Sequence, residues 1–350
     1  MAEAEPKTVV VTGGSAGIGR ATVRQFARHG CNVAILARGQ DGLDAARDDV
    51  EELGGRALAI STDVADWKAV EAAADQVERE LGPIDIWVNN AFAGIFSRFV
   101  DVTPEEYERV TQVTYLGQVN GTRAALKRML PRDRGKIVLV GSALAYRGIP
   151  LQSAYCGAKH AIQGFLDSLR CELLHDKSNV TITMVQMPGV NTPQFDWIRA
   201  KLPGQPRPVG KVYQPEVAAR AIYAAAHDSR KEMLVGLPTV EAVWGNKVAS
   251  SLLDDYLAET GFKSQQRPER VSPDRKDNLF EPVAGDHGAH GSFDSEAVDS
   301  SAELWMTERK KQIGLAALGA AAVAGAGFML AGRSTGKKRQ AGRGRAKVRS

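Results

Sequence analysis

The sequence predicts an α/β chain built on one doubly wound, mostly parallel sheet, and three observations carry that expectation. Short apolar runs recur between longer stretches of helical spacing across residues 7–240. Several of those runs lack the alternation of a half-exposed strand, as expected where helices cover both faces of a sheet. The first run passes directly into a glycine-rich turn and then an amphipathic stretch, which is the start of a strand–loop–helix unit.

The predicted strands are 8–12, 32–37, 57–61, 84–88, 136–140, 180–186 and 232–235. Between them, 18–29, 41–53, 67–81 and 154–174 place apolar residues at helical spacing. Residues 1–262 therefore read as a single α/β domain, without internal repeats. Residues 263–311 are rich in Arg, Pro, Asp, Gly and Ser, with the scattered aromatics Phe280, Phe293 and Trp305. They read as a C-terminal extension with little core of its own, wrapping the body. An uncharged segment, 312–332, and a basic tail, 333–350, complete the chain.

Composition narrows the classes. Of 350 residues, 43% are hydrophobic and 25% charged, ordinary values for a globular protein. The net charge of +4 is a tail property, because 333–350 hold eight Lys/Arg and no acid, leaving −4 on residues 1–332. A specific nucleic-acid surface is not expected on such a body. Three cysteines, Cys31, Cys156 and Cys171, with no CxxC pair, argue against a disulfide framework or zinc site and for a reducing compartment. Residues 1–6 lack the basic and apolar regions of a secretory signal, so the body is expected in the cytoplasm.

After Thr8-Val9-Val10-Val11 comes Thr12-Gly13-Gly14-Ser15-Ala16-Gly17-Ile18-Gly19. Glycines there permit a tight turn and bring backbone N–H groups to a pyrophosphate at a helix N-terminus. Further on, Tyr155-Cys156-Gly157-Ala158-Lys159 places a phenol and an amine four residues apart, on one face of a helix. Ser142 lies at the end of the strand upstream.

The TGxxxGxG and YxxxK spacings together resemble the short-chain dehydrogenases/reductases, over roughly residues 7–240. The resemblance implies a Rossmann fold, a nicotinamide cofactor and hydride exchange between a carbonyl and an alcohol. Gly13, Ser15, Gly17, Ile18 and Gly19 would hold the cofactor. Asp63-Val64 resembles the family's adenine contact, with a turn or N-cap residue as the alternative. Asn89-Asn90-Ala91 resembles its NNAG motif with Phe92 in place of glycine, and Asn90 joins the cofactor site. Pro188, Gly189 and Thr192 resemble the segment beside the nicotinamide, Thr192 falling one residue early.

The strand 32–37 ends in Arg38, with no acid before Asp41. An acid there would accept ribose hydroxyls, whereas Arg pairs with a 2′-phosphate. NADP(H) is the expected cofactor, NAD(H) the alternative, and a solvent-exposed strand-end Arg the bland reading.

The implied chemistry is acid–base. Tyr155 passes a proton to the carbonyl oxygen, Ser142 orients that oxygen, and Lys159 lowers the phenol pKa and holds the ribose. Thr114 stands where the family often has an Asn completing a proton relay, so it either carries that relay or packs its helix. Gln118, one turn on, is a candidate substitute, while Asn120 lies off that face. The stretch 194–213, with Trp197 and Leu202, reads as a loop over the substrate or an ordinary surface loop. Phe92, Ile95, Phe96, Leu144 and Trp197 hint at a hydrophobic substrate, though each suits a core equally. His287 and His290 lack the further ligands a metal needs, and a turn is expected there.

Residues 312–332 would form a helix about 31 Å long, enough to span a bilayer. Eight alanines and five glycines make it a marginal span, and the basic tail beyond it resists export. The alternatives are an anionic membrane surface contacted through 312–350, a soluble tail, or nucleic-acid contact by the tail. By family resemblance the enzyme is a homodimer or tetramer acting on a small carbonyl or alcohol. A rival reading, held open by Phe92 and Thr114, is an NADP(H)-binding scaffold or redox sensor with vestigial catalytic residues. Epimerases and dehydratases on related folds usually show TGxxGxxG spacing instead.

Overall fold

The computed structural model describes residues 6–309, so the uncharged segment and basic tail lie outside the described residues. Seven strands form the central sheet: β1 (Thr8–Thr12), β2 (Asn32–Ala37), β3 (Ala57–Ser61), β4 (Ile84–Asn89), β5 (Lys136–Val140), β6 (Thr181–Gln186) and β7 (Glu232–Leu234). All pair in parallel, in the spatial order β3-β2-β1-β4-β5-β6-β7. The order reverses between β1 and β4, which opens a crevice at their C-terminal ends. The predicted strands stand, with β4 one residue longer, β6 starting one later and β7 ending one earlier.

Burial explains why the apolar runs show no alternation. Val9 and Val11 of β1 join one core with Phe26, Ile35, Leu43 and Ile222, while Val10 joins the other with Leu36, Val77, Trp87 and Ile162. Helices α1 (Gly17–Ala27) and α2 (Gln40–Glu52) supply the first core. The second is covered by α3 (Trp67–Leu81), α4 (Pro104–Thr111), α5 (Gly117–Met129) and α6 (Ser153–His175). Helix α7 (Pro215–Ala226) returns to the first face. Local signals set the ends: Asp66 caps α3 through Lys68 and Ala69 N–H, and Thr103 with Glu106 closes a capping box on α4 with Pro104 in its first turn. Between α4 and α5 the chain makes one π-helical turn, Gln112–Leu116.

The last long helix, α8 (Leu237–Ser264), breaks helical geometry at Ala249. Beyond it, Gln266–Arg270 pairs antiparallel with Gly204–Pro206. Leu279 is buried in the second core, and Phe293 packs with Phe96, Phe195 and Ile198. The chain through Leu304 forms one compact unit. Among the described residues, no helix is long and apolar enough to cross a membrane.

Candidate active site

At the C-terminal end of β1 the chain turns through Gly13 at φ +65°, with its N–H donating to the Leu36 carbonyl at 2.6 Å. Gly19 must be glycine for a different reason: a Cβ there would lie 2.0 Å from the Gly13 oxygen. The Asn90 amide at the tip of β4 donates to the Thr12 and Gly13 carbonyls, both at 3.1 Å, fixing the turn from the neighbouring strand. Gly13, Ser15, Gly17 and Ile18 line a cavity of about 580 Å³ that runs on to Ser142, Tyr155 and Lys159. Gly19 lies behind the turn and shapes it from there.

Strand β5 ends at Val140, with Gly141 and Ser142 next in the chain, and the first two turns of α6 carry Tyr155 and Lys159 to its tip. Lys159, 2% exposed, donates from Nζ to the Val140 carbonyl at 2.7 Å and sits 5.5 Å from the Tyr155 ring centroid. The Ser142 backbone N–H donates to Oε1 of buried Gln186 at 2.7 Å, and its hydroxyl accepts from Leu144 N–H at 3.1 Å. Phe92 meets the Tyr155 ring edge-on at 5.7 Å.

The electrostatics depart from the expected pairing. Burial pushes the Tyr155 phenol well up, with the Ser142 hydrogen bond pulling the other way. Burial also brings the Lys159 ammonium down to about 7. Desolvation outweighs any help the amine gives the phenol, so the expected lowering of the phenol is not a property of this pocket by itself.

Thr114 falls on the π-helical turn, fully buried, and its hydroxyl is bracketed by Ala93: it accepts from the Ala93 N–H at 2.9 Å and donates to the Ala93 carbonyl at 2.7 Å. It fixes the loop after β4, and its hydrogen bonds do not run to Lys159. Gln118 donates to the Val140 carbonyl at 3.1 Å, the oxygen Lys159 also uses, and its own Oε1 is buried without a partner.

At the other end, Arg38, Asp63 and Val64 line the cavity. One Asp63 oxygen accepts from the Ala65 N–H at 2.9 Å, a turn role, and the other pairs with Arg109 of α4 at 2.6 Å. That pairing holds the Asp63 carboxyl below its usual range against the opposing effect of burial. Pro188, Gly189 and Thr192 also line the cavity, and Phe92, Phe96, Leu144 and Trp197 give it apolar walls. Ile95 does not join them and is core, 2% exposed. His290 bonds Glu216 and Asp294.

Sequence reasoning missed Gln186, Arg109 and the part played by residues 278–287. Gln186 carried a signal, a polar residue closing an apolar strand. Arg109 carried none beyond its helix.

Sheet order and glycine turn define a doubly wound α/β protein whose cavity, at the C-terminal ends of its strands, is lined by Ser142, Tyr155 and Lys159. Residues 7–202 match the family described as short chain dehydrogenase. The "Uncharacterized oxidoreductase YxnA" of Bacillus subtilis (strain 168) is 31% identical over 283 residues, 80% of either chain. The 3-dehydrosphinganine reductase of Danio rerio is 32% identical over 222 residues, 61% of this chain and 66% of its own. Among solved structures, a single-substitution variant of actinorhodin polyketide ketoreductase with NADPH superposes with a TM-score of 0.59, at 26% identity over 67% of this chain and 97% of its own. An alcohol dehydrogenase from the archaeon Thermococcus sibiricus complexed with 5-hydroxy-NADP gives 0.58, at 25% identity over 66% and 96%. The chain belongs to the short-chain dehydrogenase/reductase family and is an oxidoreductase.

Proposed function

We propose that the protein is an NADP(H)-dependent reductase of apolar ketones, working in reverse as an alcohol dehydrogenase, with Tyr155, Lys159 and Ser142 at its centre. The observation that carries this reading is their convergence in one cavity continuous with the glycine turn. The residues present fit the cofactor: a tight turn that only glycine at position 19 permits, a buried ammonium for ribose hydroxyls, and the Arg38 guanidinium lining the cavity at the adenosine end, with Arg109 beside it on Asp63. When bound, the nicotinamide supplies or accepts the hydride.

The chain's own residues do the rest. Gln186 fixes the Ser142 backbone, so the serine hydroxyl is held to donate to the substrate oxygen. Tyr155 gives that oxygen a proton as charge develops on it; in the oxidative direction it takes the proton back. Lys159 stands beside the phenol ring, where its ammonium stabilises a phenolate formed there. Phe92, Phe96, Leu144 and Trp197 exclude water from this end and favour an apolar substrate. The resemblance to a reductase named for 3-dehydrosphinganine supports a ketone with a long apolar chain.

The test is reduction of a panel of alkyl and aryl ketones by NADPH and by NADH. Turnover with NADPH preferred, and that preference flattened about tenfold or more in Arg38→Ala through loss of a charge-assisted pair, is expected. Consumption of neither cofactor with any member of the panel would return the scaffold reading to the front.

A further inference from the structure

The donors that would meet the cofactor's anionic groups are already capped by this chain. Arg38 donates to the backbone carbonyls of Asn278 at 2.5 Å, Phe280 at 2.7 Å and Leu279 at 3.5 Å. Arg109 Nε donates to the same Leu279 carbonyl at 3.1 Å, so two guanidiniums meet on one neutral oxygen. Burial and the neighbouring Arg109 charge both push Arg38 below its ordinary range. At the start of α1, the Gly17 N–H donates to the Gly288 carbonyl at 3.0 Å.

Apart from Asp63, which holds a terminal nitrogen of Arg109, the groups capping these donors come from one short stretch of the extension. Beyond Leu279, which is anchored in the second core, its apolar hold on the body is light. Leu279 and Ala289 are buried, but Phe280, Glu281, Pro282, Ala284, Gly285 and Asp286 are exposed. Besides the bonds to Arg38, Arg109 and Gly17, its ties include an Asp286–Arg20 pair at 3.1 Å, the Gly285 N–H donating to Asp41 at 2.6 Å and Arg199 over the Phe280 ring at 5.1 Å. Segments with few buried apolar contacts open at low free energy. A phosphate dianion is a stronger acceptor for guanidinium than a neutral carbonyl.

We propose that residues 278–288 form a strap that competes with the cofactor's 2′-phosphate for Arg38 and Arg109. NADP(H) lifts the strap; NAD(H), lacking that phosphate, leaves it on the arginines. Cofactor choice is then set by an exchange of acceptors, with the strap as a specificity-determining element and Arg109, which keeps its Asp63 pair, contributing only the Nε it now gives to Leu279. The strap also touches the loop at the substrate end: the Asn278 N–H donates to the Trp197 carbonyl at 3.1 Å, and the His287 ring stands edge-on to Trp197 at 4.1 Å. Release from Arg38 therefore loosens the cover over the apolar part of the cavity. This inference rests on the NADP(H) reading above.

The experiment is hydrogen–deuterium exchange of the full chain with no ligand, NADP+, NAD+, or adenosine 2′,5′-bisphosphate, with binding followed separately by calorimetry. Amides of 278–281, the part on the arginines, are expected to exchange about tenfold faster with NADP+ and with the bisphosphate, and to stay unchanged with NAD+. Asp286→Asn, which loosens the strap on an exposed side chain, is expected to tighten NADP+ binding about threefold while NAD+ binding holds. Slower exchange of 278–281 in bound NADP+, or no change, overturns the strap while the reductase reading stands. Absence of binding by either dinucleotide removes that reading, and the strap with it.

Discussion

Lys159 and Tyr155 show how far burial governs the chemistry of single residues. The YxxxK spacing placed both on one helix face, and the structure puts the Nζ 5.5 Å from the ring centroid. What the spacing did not show is that both groups lie in an apolar pocket, where each is driven towards its neutral form. The consequence for stability has a definite sign. The folded pKa of Lys159, about 7, lies below the usual 10.5, so the unfolded chain binds more protons between those values. The Lys159 penalty is full below about pH 7 and is relieved as pH rises towards 10.5. Lys159→Met is expected to raise the melting temperature relative to the parent at about pH 6, with the difference shrinking by about pH 10. An equal or growing difference on the alkaline side would refute the burial account. Thr114 was not resolvable from its position alone, because its role depends on a loop, at Ala93, brought near only by the fold.

Among the helices, strands and turns, the glycine turn was legible because its constraints are local. The Val9/Val10 split between two cores likewise follows from a strand covered on both faces, and the strand ends were placed within a residue. Gly19→Ala brings a Cβ 2.0 Å from a backbone oxygen, which cannot swing aside. Overpacking of this kind costs about 1–3 kcal/mol, and the melting temperature should fall by several degrees with loss of dinucleotide binding. Thermal unfolding and calorimetry check both; an unchanged melting temperature would mean that the turn shifts freely. Gln118 and Gln186 were harder to weigh, since a buried amide announces itself only once its partners, or its lack of one, can be seen.

Across the chain as a whole, the least legible part is the stretch after α8. Its single aromatics and many polar residues read as chain with little core, yet it caps Arg38 and the Gly17 N–H through the carbonyls of Asn278, Leu279, Phe280 and Gly288. Backbone acceptors leave no trace in side-chain composition, so no residue pattern could have pointed to Arg38 as their partner. The uncharged segment at 312–332 and the tail beyond it lie outside the described residues, and the membrane-surface reading is a proposal that rests on sequence alone.

All of this turns on Tyr155 moving the proton while the glycine turn and Arg38 hold the cofactor. The decisive experiment is transfer of deuterium from labelled NADPH to a ketone in a single turnover, parent against Tyr155→Phe, with NADPH affinity measured on the same samples. The transfer rate is expected to drop about 100-fold or more, with the dissociation constant nearly unchanged. Transfer at the parent rate in Tyr155→Phe would remove the phenol from the mechanism.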